Sequence, residues 1–567
     1  MKILGIANDE TSSACLVIDN KVVSAVSEER FSRVKMDNSF PYKSINYVLK
    51  NSNLDLASID YIGYGWKKGF EEEKHLLMYA DRIIYEALKN PSGIEVLRER
   101  MKSEIQQDGI KRKEFDNWIT ENSLSNKVVF FNHHECHSIS AFACSPFDDA
   151  LVITSDARGD FEAMQISYFN STNKYEVLYR CPSFDSLGFF YGRITGLLGY
   201  TPAKHEGKIT GLAAHGDPNK YLSIMEKMIS FEDGKIIGHL GDWYRPFFTN
   251  YSETLKKFIS TSKPEDVAAA AQLHLENLIC KLVKYYLKIK PSKYICMAGG
   301  VFGNVRVNQI IKEIQGVKNV FIQPNMGDGG LALGSAIGVP FLFNKQKSLL
   351  SNMYLGPEFS NEEILNEIEN REELYFEYQT DLSYHIIKEI KKNRVIGLFQ
   401  GRMEFGPRAL CNRSIIYHCF DEGINASLNK RLQRTEFMPF APATAEELAP
   451  ECYINWEPNH LASRYMTITY NCSKEMVKNS PAVVHIDDTA RPQIISASDN
   501  PLMHEILLLW YKDSGGMSLV NTSFNKHEEP IVCSPKDAVD AIVQDQVDVL
   551  VIGNYFVYKS KKNRKNT

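Results

Sequence analysis

None of the eleven cysteines is paired in a C-x-x-C spacing. That absence excludes a zinc ribbon and a thioredoxin-type redox motif, and the scatter of the thiols gives no disulfide framework; buried, reduced cysteines are expected. No stretch reaches the roughly 18 consecutive apolar residues of a membrane-spanning helix. The apolar opening Met1-Lys2-Ile3-Leu4-Gly5-Ile6-Ala7 is too short for a signal peptide and lacks its flanks, so a soluble, cytoplasmic protein with no membrane partner is expected. Positive charge is not in excess either: 65 Lys and Arg against 70 Asp and Glu leave a formal net charge of −5. That balance argues against a general nucleic-acid binder. The basic run at residues 559–565 sits at an end and reads as a solvated terminus. No internal repeat or low-complexity tract is visible.

What is present is a long and compositionally ordinary chain. Its 567 residues exceed what one hydrophobic core organises, so at least two domains are expected. Hydrophobic residues at 44% and charged residues at 24% are those of a soluble globular protein. The pattern opens with a strand at residues 2–7, a polar turn at 8–13, and strands at 14–19 and 22–27 joined by Asn20-Lys21. Strand, polar loop, strand and hairpin is how the actin-like ATPase fold begins, with the first loop facing phosphate. Two further strand ends carry ligand-type residues. Residues 149–155 lead into Asp156-Ala157-Arg158-Gly159-Asp160, and residues 294–297 lead into Ala298-Gly299-Gly300-Val301-Phe302-Gly303-Asn304. An acid beside glycine suits a metal–phosphate contact, and paired glycines let the backbone approach a ligand. Residues 70–120 read as a charged helical insertion. The pattern breaks at Val339-Pro340 and the polar run 344–348, which places a domain boundary there and predicts domains 1–345 and 353–567.

Two constellations carry chemistry. In Asn132-His133-His134-Glu135-Cys136-His137, a helix would put His133 and His137 on one face, the spacing for chelating one metal. Asp156 and Asp328, the latter in Gly327-Asp328-Gly329-Gly330, could complete a mixed N/O site, although Asp328 could equally cap the helix that follows. Imidazole and carboxylate suit iron, or otherwise manganese, magnesium or zinc. In the second half, Arg402, Arg408 and Arg413 lie around glycine-bearing turns in residues 401–414. Lys430, Arg431 and Arg434 follow, then Arg491, then Asn521-Thr522-Ser523-Phe524-Asn525. Arginine captures phosphate or carboxylate with two donors at once, so this half reads as built for anionic ligands.

These segments resemble the O-carbamoyltransferase family that includes nodulation protein U and the cephalosporin hydroxymethyl and tobramycin carbamoyltransferases. The matching residues also include Glu28-Glu29-Arg30-Phe31-Ser32-Arg33, Glu206-Gly207-Lys208, Ala441-Pro442, Thr489-Ala490-Arg491-Pro492-Gln493 and Glu529-Pro530-Ile531-Val532. The resemblance implies an α/β protein: a duplicated actin-like (TsaD-like) domain followed by a YrdC-like α/β domain. It implies that carbamoyl phosphate and ATP give carbamoyl adenylate and pyrophosphate in the second domain. A hydroxyl of a sugar or natural product would then take the carbamoyl group in the first. By motif, Lys208, Gly299, Gly300 and Asn304 contact nucleotide, as do Arg402, Lys430, Arg431, Arg491, Ser523 and Asn525. Arg434, Arg408, Arg413 and Asp9 are the catalytic candidates, and His133, His137, Asp156 and Asp328 hold the metal.

Two departures from the family pattern stand out. Glu10-Thr11 replaces the His-Asp pair that many relatives carry in the first loop. Before Pro439-Phe440-Ala441-Pro442 only Arg434 matches cleanly, with Lys430 or Arg431 substituting. A tRNA threonylcarbamoyl transferase and a non-catalytic actin-like ATP-binding protein are the alternatives. The acidic balance speaks against the first and the arginine motifs against the second. A homodimer is compatible with the sequence.

Overall fold

The computed structural model describes residues 1–67, 72–434 and 438–560; most of the basic run at 559–565 therefore lies outside the described residues. Two compact units emerge. The first comprises Met1–Val23 and Asn38–Leu350, and the second Ser24–Asp37 and Ser351–Thr567.

The first unit holds two five-stranded sheets with the same strand order, apart from residues 24–27 at the end of β3, which fall in the second unit. In one, β1 (Lys2–Ala7), β2 (Ser13–Ile18), β3 (Lys21–Ser27), β4 (Tyr61–Tyr64) and β5 (Val128–Phe130) are ordered β3-β2-β1-β4-β5. The other contains β6 (Ala150–Gly159), β7 (Glu162–Phe169) and β8 (Tyr175–Pro182). A small separate hairpin of β9 (Ile229–Glu232) and β10 (Lys235–Gly238) follows. With β11 (Tyr294–Ala298) and β12 (Asn319–Ile322) the second sheet is ordered β8-β7-β6-β11-β12. In each sheet the central strand pairs antiparallel on one side and parallel on the other: β1 with β2 and β4, β6 with β7 and β11. The unit is thus a duplicated α/β fold. The buried strand residues Ile3, Leu4, Ile6, Leu151, Val152 and Ile295 are apolar on both faces, the pattern of covered sheets.

Of the expected insertion at residues 70–120, the described residues 72–120 are built into this unit. The helices Glu73–Lys89 and Gly93–Glu121 carry buried charges paired along the helix and across the fold. Arg82 bonds Glu86 at 2.8 Å and Asp185 at 3.0 Å, Arg100 bonds Glu104 at 3.0 Å, and His75 bonds Glu162 at 2.8 Å. The pattern break at Pro340 does not end an element: Pro340 lies inside the helix Leu331–Asn344. The residues from Leu331 to Phe341 are all buried, and that packing outweighs a local proline penalty of about 3 kcal/mol.

The second unit is built on an eight-stranded mixed sheet. Its strands are β13 (Leu374–Tyr378), β14 (Ile396–Phe399), β15 (Arg413–Tyr417), β16 (Ala441–Ala445), then a two-residue pair β17 (Tyr470–Asn471) and β18 (Thr489–Ala490) outside the main sheet, β19 (Gln493–Ile495), β20 (Leu519–Ser523), β21 (Val549–Ile552) and β22 (Tyr555–Lys559). The order is β13-β22-β21-β14-β15-β20-β16-β19. Residues 24–37, placed in the first domain by the sequence reading, belong to this unit. Arg33 donates to the carbonyls of Ile531 (2.7 Å) and Pro530 (2.9 Å), and Arg30 to that of Gly406 (3.0 Å). Phe31 packs against Met403, Ala409, Ile531 and Cys533.

Candidate active site

In the first unit the expected helix is present as His133–Cys144, and its first turn and a half presents two imidazoles on one face. His133 Nε2 lies 2.9 Å from Asp156 Oδ2 and 3.6 Å from Asp328 Oδ1. His137 Nε2 lies 3.6 Å from Asp156 Oδ2 and 3.5 Å from Asp328 Oδ1. Ligand atoms of all four residues fall within 4.8 Å of one another. Asp156 sits within β6 rather than in a loop after it, at an irregularity of the β6–β7 register between Ser155 and Gly159 that turns the side chain out of the ladder. Asp328 opens a short 3₁₀ turn, Asp328–Gly330, which leads into the helix Leu331–Asn344.

This cluster is buried and electrically strained. His137 Nε2, His133 Nδ1 and Asp156 Oδ1 are buried with no hydrogen-bond partner. Such orphaned atoms in a two-imidazole, two-carboxylate set fit a divalent cation. Burial pushes the His133 imidazole down, but the Asp156 and Asp328 carboxylates outweigh it and raise its pKa to about 9. Asp156, opposed by burial, is nevertheless drawn down to about 2 by His134 and His133. Asp9, from the first loop, is pushed up to about 6 by burial and then by the Asp328 carboxylate.

Several supporting residues went unassigned in the sequence. Asp160 accepts the backbone N–H of His133 at 2.8 Å and that of Lys67 at 3.0 Å. His134 pairs Nδ1 with Thr154 Oγ1 at 2.9 Å and sets Nε2 3.5 Å from Asp156 Oδ1, with its pKa lowered to about 4 by burial. Trp66 meets the His133 ring edge-on at 4.5 Å. A Cβ on Gly159 would stand 2.1 Å from His133 Cγ, so only glycine admits the ring here. An acid and a glycine four and three residues after Asp156 were the available signal.

Of the nucleotide candidates in this unit, Gly299 has φ +96°, and a Cβ there would stand 2.2 Å from the Ser155 carbonyl oxygen, while Gly300 faces open space. Asn304 is engaged within the fold: Oδ1 caps the helix Val305–Lys312 by accepting from Val307 N (3.2 Å), and Nδ2 donates to Gln272 Oε1 (2.8 Å). Lys208 is buried on the helix Glu206–Ala213, 5.9 Å from the Tyr200 ring centre.

In the second unit the arginines separate into distinct settings. Arg434 is brought together with Ser523 and Asn525. It donates to Thr522 Oγ1 at 2.6 Å, to the Ser523 carbonyl at 2.7 Å and to the Asn525 carbonyl at 2.8 Å, with both side-chain oxygens of the Ser-x-Asn pair at 3.2 Å. Arg413 is fully buried; its guanidinium donates to the carbonyls of Gln400 (2.7 Å), Asn412 (2.8 Å), Pro357 (3.1 Å) and Gly401 (3.1 Å) and stacks 3.7 Å over Phe399. Arg402 likewise donates to Leu355 O at 2.7 Å. Arg431 makes a two-donor pair with Asp548 at 3.0 and 2.8 Å, apart from the Arg434 cluster in its contacts. Lys430 is exposed, and Arg408 and Arg491 are half-buried.

Glu404, whose role the sequence did not disclose, organises the same loop. Its Oε1 accepts the backbone N–H groups of Leu410 (2.7 Å), Asn412 (2.8 Å) and Arg413 (3.1 Å). The loop also holds Cys411 at φ +77°, a conformation few side chains adopt without support.

The first unit is thus a duplicated α/β fold carrying a His–Asp cluster whose donor set fits a divalent cation, and the second an α/β fold with an arginine-braced polar turn. Comparison with known proteins gives the family. Residues 2–337 match the carbamoyltransferase N-terminus and residues 387–559 the carbamoyltransferase C-terminus, so the chain belongs to the carbamoyltransferase family. It is a carbamoyltransferase. Among its relatives, an uncharacterized protein of Methanocaldococcus jannaschii, MJ1051, is 32% identical over 99% of this chain and 100% of its own length. Nodulation protein NolNO of Sinorhizobium fredii is 30% identical over 96% of this chain and 78% of its own. The 3'-hydroxymethylcephem-O-carbamoyltransferase of Amycolatopsis lactamdurans is 25% identical over 78% of this chain and 83% of its own. Among the described residues no helix is long and apolar enough to cross a membrane.

Proposed function

We propose that the transfer is ATP-dependent and runs in two steps, one in each unit. Water first cleaves carbamoyl phosphate, releasing phosphate and leaving carbamate. A carbamate oxygen attacks the α-phosphorus of ATP, pyrophosphate departs, and carbamoyl adenylate results. The acceptor hydroxyl then attacks the carbamoyl carbon; the new C–O bond forms, the carbamoyl–phosphate bond breaks, and AMP leaves with its electron pair. The observation that carries this reading is that each unit has its own built polar centre: Arg434 with Ser523 and Asn525 in one, and the His133–His137–Asp156–Asp328 group in the other.

In the YrdC-like second unit, Arg434, Ser523 and Asn525 form the anion-holding turn, with Arg408 and Arg491 as further phosphate ligands. Their fixed donors stabilise charge as it develops on the phosphates. Arg413, Arg402 and Glu404 hold the turn in shape. In the actin-like first unit, Gly299 and Gly300 let the nucleotide approach the backbone, and Lys208 would contribute a positive charge to it. A divalent cation held by His133, His137, Asp156 and Asp328, iron or otherwise manganese, magnesium or zinc, would supply Lewis-acid stabilisation at the phosphate. Asp9, whose pKa is raised to about 6, would take the acceptor hydroxyl proton. The acceptor class is a small molecule or sugar hydroxyl, a reading supported by the hydroxymethyl group in the name of the Amycolatopsis relative.

The test is to incubate the metal-analysed protein with ATP, carbamoyl phosphate and a panel of sugars, following pyrophosphate and the mass gain of one carbamoyl group. Pyrophosphate release indifferent to carbamoyl phosphate, or carbamoylated product formed without ATP, would overturn the scheme.

A further inference from the structure

The helix Leu187–Leu197 is mostly apolar and carries one charged residue, Arg193. That arginine is among the most deeply buried large side chains of the protein, with 1% of its surface exposed. Its Nη1 donates to the Phe247 carbonyl at 3.0 Å, and its guanidinium lies 4.9 Å from the Tyr251 ring centre. Beside it, Arg100, also buried, donates from Nη1 to the preceding carbonyl, that of Pro246, at 3.0 Å. Two guanidinium groups are therefore set on consecutive carbonyls of one loop. A third, Arg245, is near enough to repel Arg193.

Five donors around this loop are buried with no acceptor: Nε and Nη2 of Arg193, Nη2 of Arg100, Nε of Arg245 and the Tyr251 hydroxyl. Of the nearby acids, Glu104 pairs through Oε1 with Arg100 at 3.0 Å and keeps Oε2 buried without a partner, and Glu99 accepts from Asn250 at 3.5 Å. The charged and phenolic groups that bear on Arg193 are Tyr244, Tyr251 and Arg245, none of them a carboxylate. A buried cation is costly unless an anion compensates it, and arginine cannot readily shed its proton to escape that cost. The rings of Phe189 and Phe247, 4.9 and 5.0 Å from Arg100, offset part of it but accept no N–H in the plane of the fork.

We propose that Arg193, Arg100, Arg245 and Tyr251 form a binding site for a phosphate-type oxyanion in the first unit. The planar forks of three arginines and a phenol offer the donor types that a tetrahedral oxyanion takes. The site is separate from the His–Asp cluster yet joined to it by one helix. Ser186, which caps the helix, donates to the Asp156 carbonyl at 3.0 Å, and Arg193 lies seven residues further on, about 10 Å along the axis. An anion bound there braces the helix whose start supports Asp156. The anion is either free phosphate or the phosphate group of a larger molecule, and the proposal does not depend on the two-step scheme.

The test uses thermal unfolding of the whole protein with inorganic phosphate, with a sugar phosphate, and with the uncharged sugar as control. Near-saturating phosphate or sugar phosphate is expected to raise the first unit's midpoint by about 2 °C, and the sugar not at all. A response to phosphate itself identifies the free ion; a response to the sugar phosphate alone identifies a group on a larger molecule. Arg193→Met is expected to unfold no earlier than the anion-free wild type, because an uncompensated charge has gone, and to lose the shift. The Arg434→Ala variant keeps that shift, which separates it from phosphate taken up by the second unit. If Arg193→Met does not fold, Tyr251→Phe must weaken phosphate binding several-fold. An undiminished shift in either variant, or no shift with either anion in the wild type, overturns the proposal.

Discussion

Arg413 separates two meanings of the arginine run at residues 401–414. The sequence offers it as a catalytic phosphate ligand; its contacts are those of a brace. Replacing it with methionine removes four charge-assisted bonds to main-chain carbonyls and the stack on Phe399. Each such bond is worth about 1.5–3 kcal/mol and the stack about 1–2 kcal/mol, but the sum is not additive. Methionine also removes the cost of burying the charge, which offsets part of the loss. A net destabilisation of about 3–5 kcal/mol is expected, a large fraction of a domain's stability. Urea unfolding followed by the fluorescence of Trp456 and Trp510, both buried in the second unit, reads it directly. Arg413→Lys should lose most of the same stability, since one ammonium cannot reach carbonyls of residues 357, 400, 401 and 412 together. Pyrophosphate release should fall only as far as the folded fraction falls. A variant that unfolds with the wild type but has lost pyrophosphate release would refute the bracing role and restore Arg413 to the ligand.

The other expectations concern both units. Arg434→Ala and Asn525→Ala should each cut carbamoyl-phosphate-dependent pyrophosphate release roughly a hundredfold while leaving the first unit folded; wild-type release in both sinks the assignment. His137→Ala should lose bound metal and carbamoyl transfer but keep pyrophosphate release, scored in paired assays, and equal loss of both would point to a structural role. Gly159→Ala, whose Cβ would fall 2.1 Å from His133 Cγ, should lower metal affinity about 10–100-fold at little cost to pyrophosphate release, as read by metal titration. Glu162, opposed by burial but held by His75 and Arg180, has its carboxyl drawn down from 4.5 to about 2. Its contribution, up to about 3 kcal/mol, is present above pH 4.5 and lost as the pH falls toward 2, so Glu162→Gln should be destabilised at pH 7 and nearly matched to the wild type near pH 2 in chemical unfolding.

What was legible in the sequence was what local spacing determines. Strands at residues 2–7 and 294–297 were readable because turns and glycines bound them, and His133 and His137 because four residues make one helical turn. Asp156 and Asp328 stood out as acids next to glycine, though nothing local told that Asp156 would lie inside a ten-residue strand. The division among the arginines was not legible. Arg413, Arg431 and Arg434 all sit in polar, turn-rich sequence, and their different fates depend on partners far along the chain: Pro357 for the first, Asp548 for the second, Thr522 to Asn525 for the third. The same holds for Pro340, where distant packing overrides a local signal. Arg193 had a local signal, a lone charge in an apolar run, but its environment comes from the loop at residues 244–251.

The placement of residues 24–37 ties these observations to the chemistry. Glu404 and Arg413 hold the loop at residues 401–414 from within, and Arg30, bonded to the Gly406 carbonyl, holds it from the N-terminal segment. Phe31 rests on Met403 and Ala409 of that loop and on Ile531 and Cys533, close in sequence to Asn525. Arg33 secures Pro530 and Ile531. One short segment therefore supports both the arginine-bearing loop and the strand-end turn proposed to hold the phosphates. The residues 353–567 alone would lack that support. A chain cut at the apparent boundary would keep the second unit's sheet and every candidate ligand in it, and still lose contacts that fix their geometry. Precise placement is what the proposed adenylate-forming step requires, since its rate depends on donors held where charge develops. The resemblance of residues 28–33 to the family is thus accounted for without a catalytic role: they position the loop and turn that carry the proposed phosphate ligands.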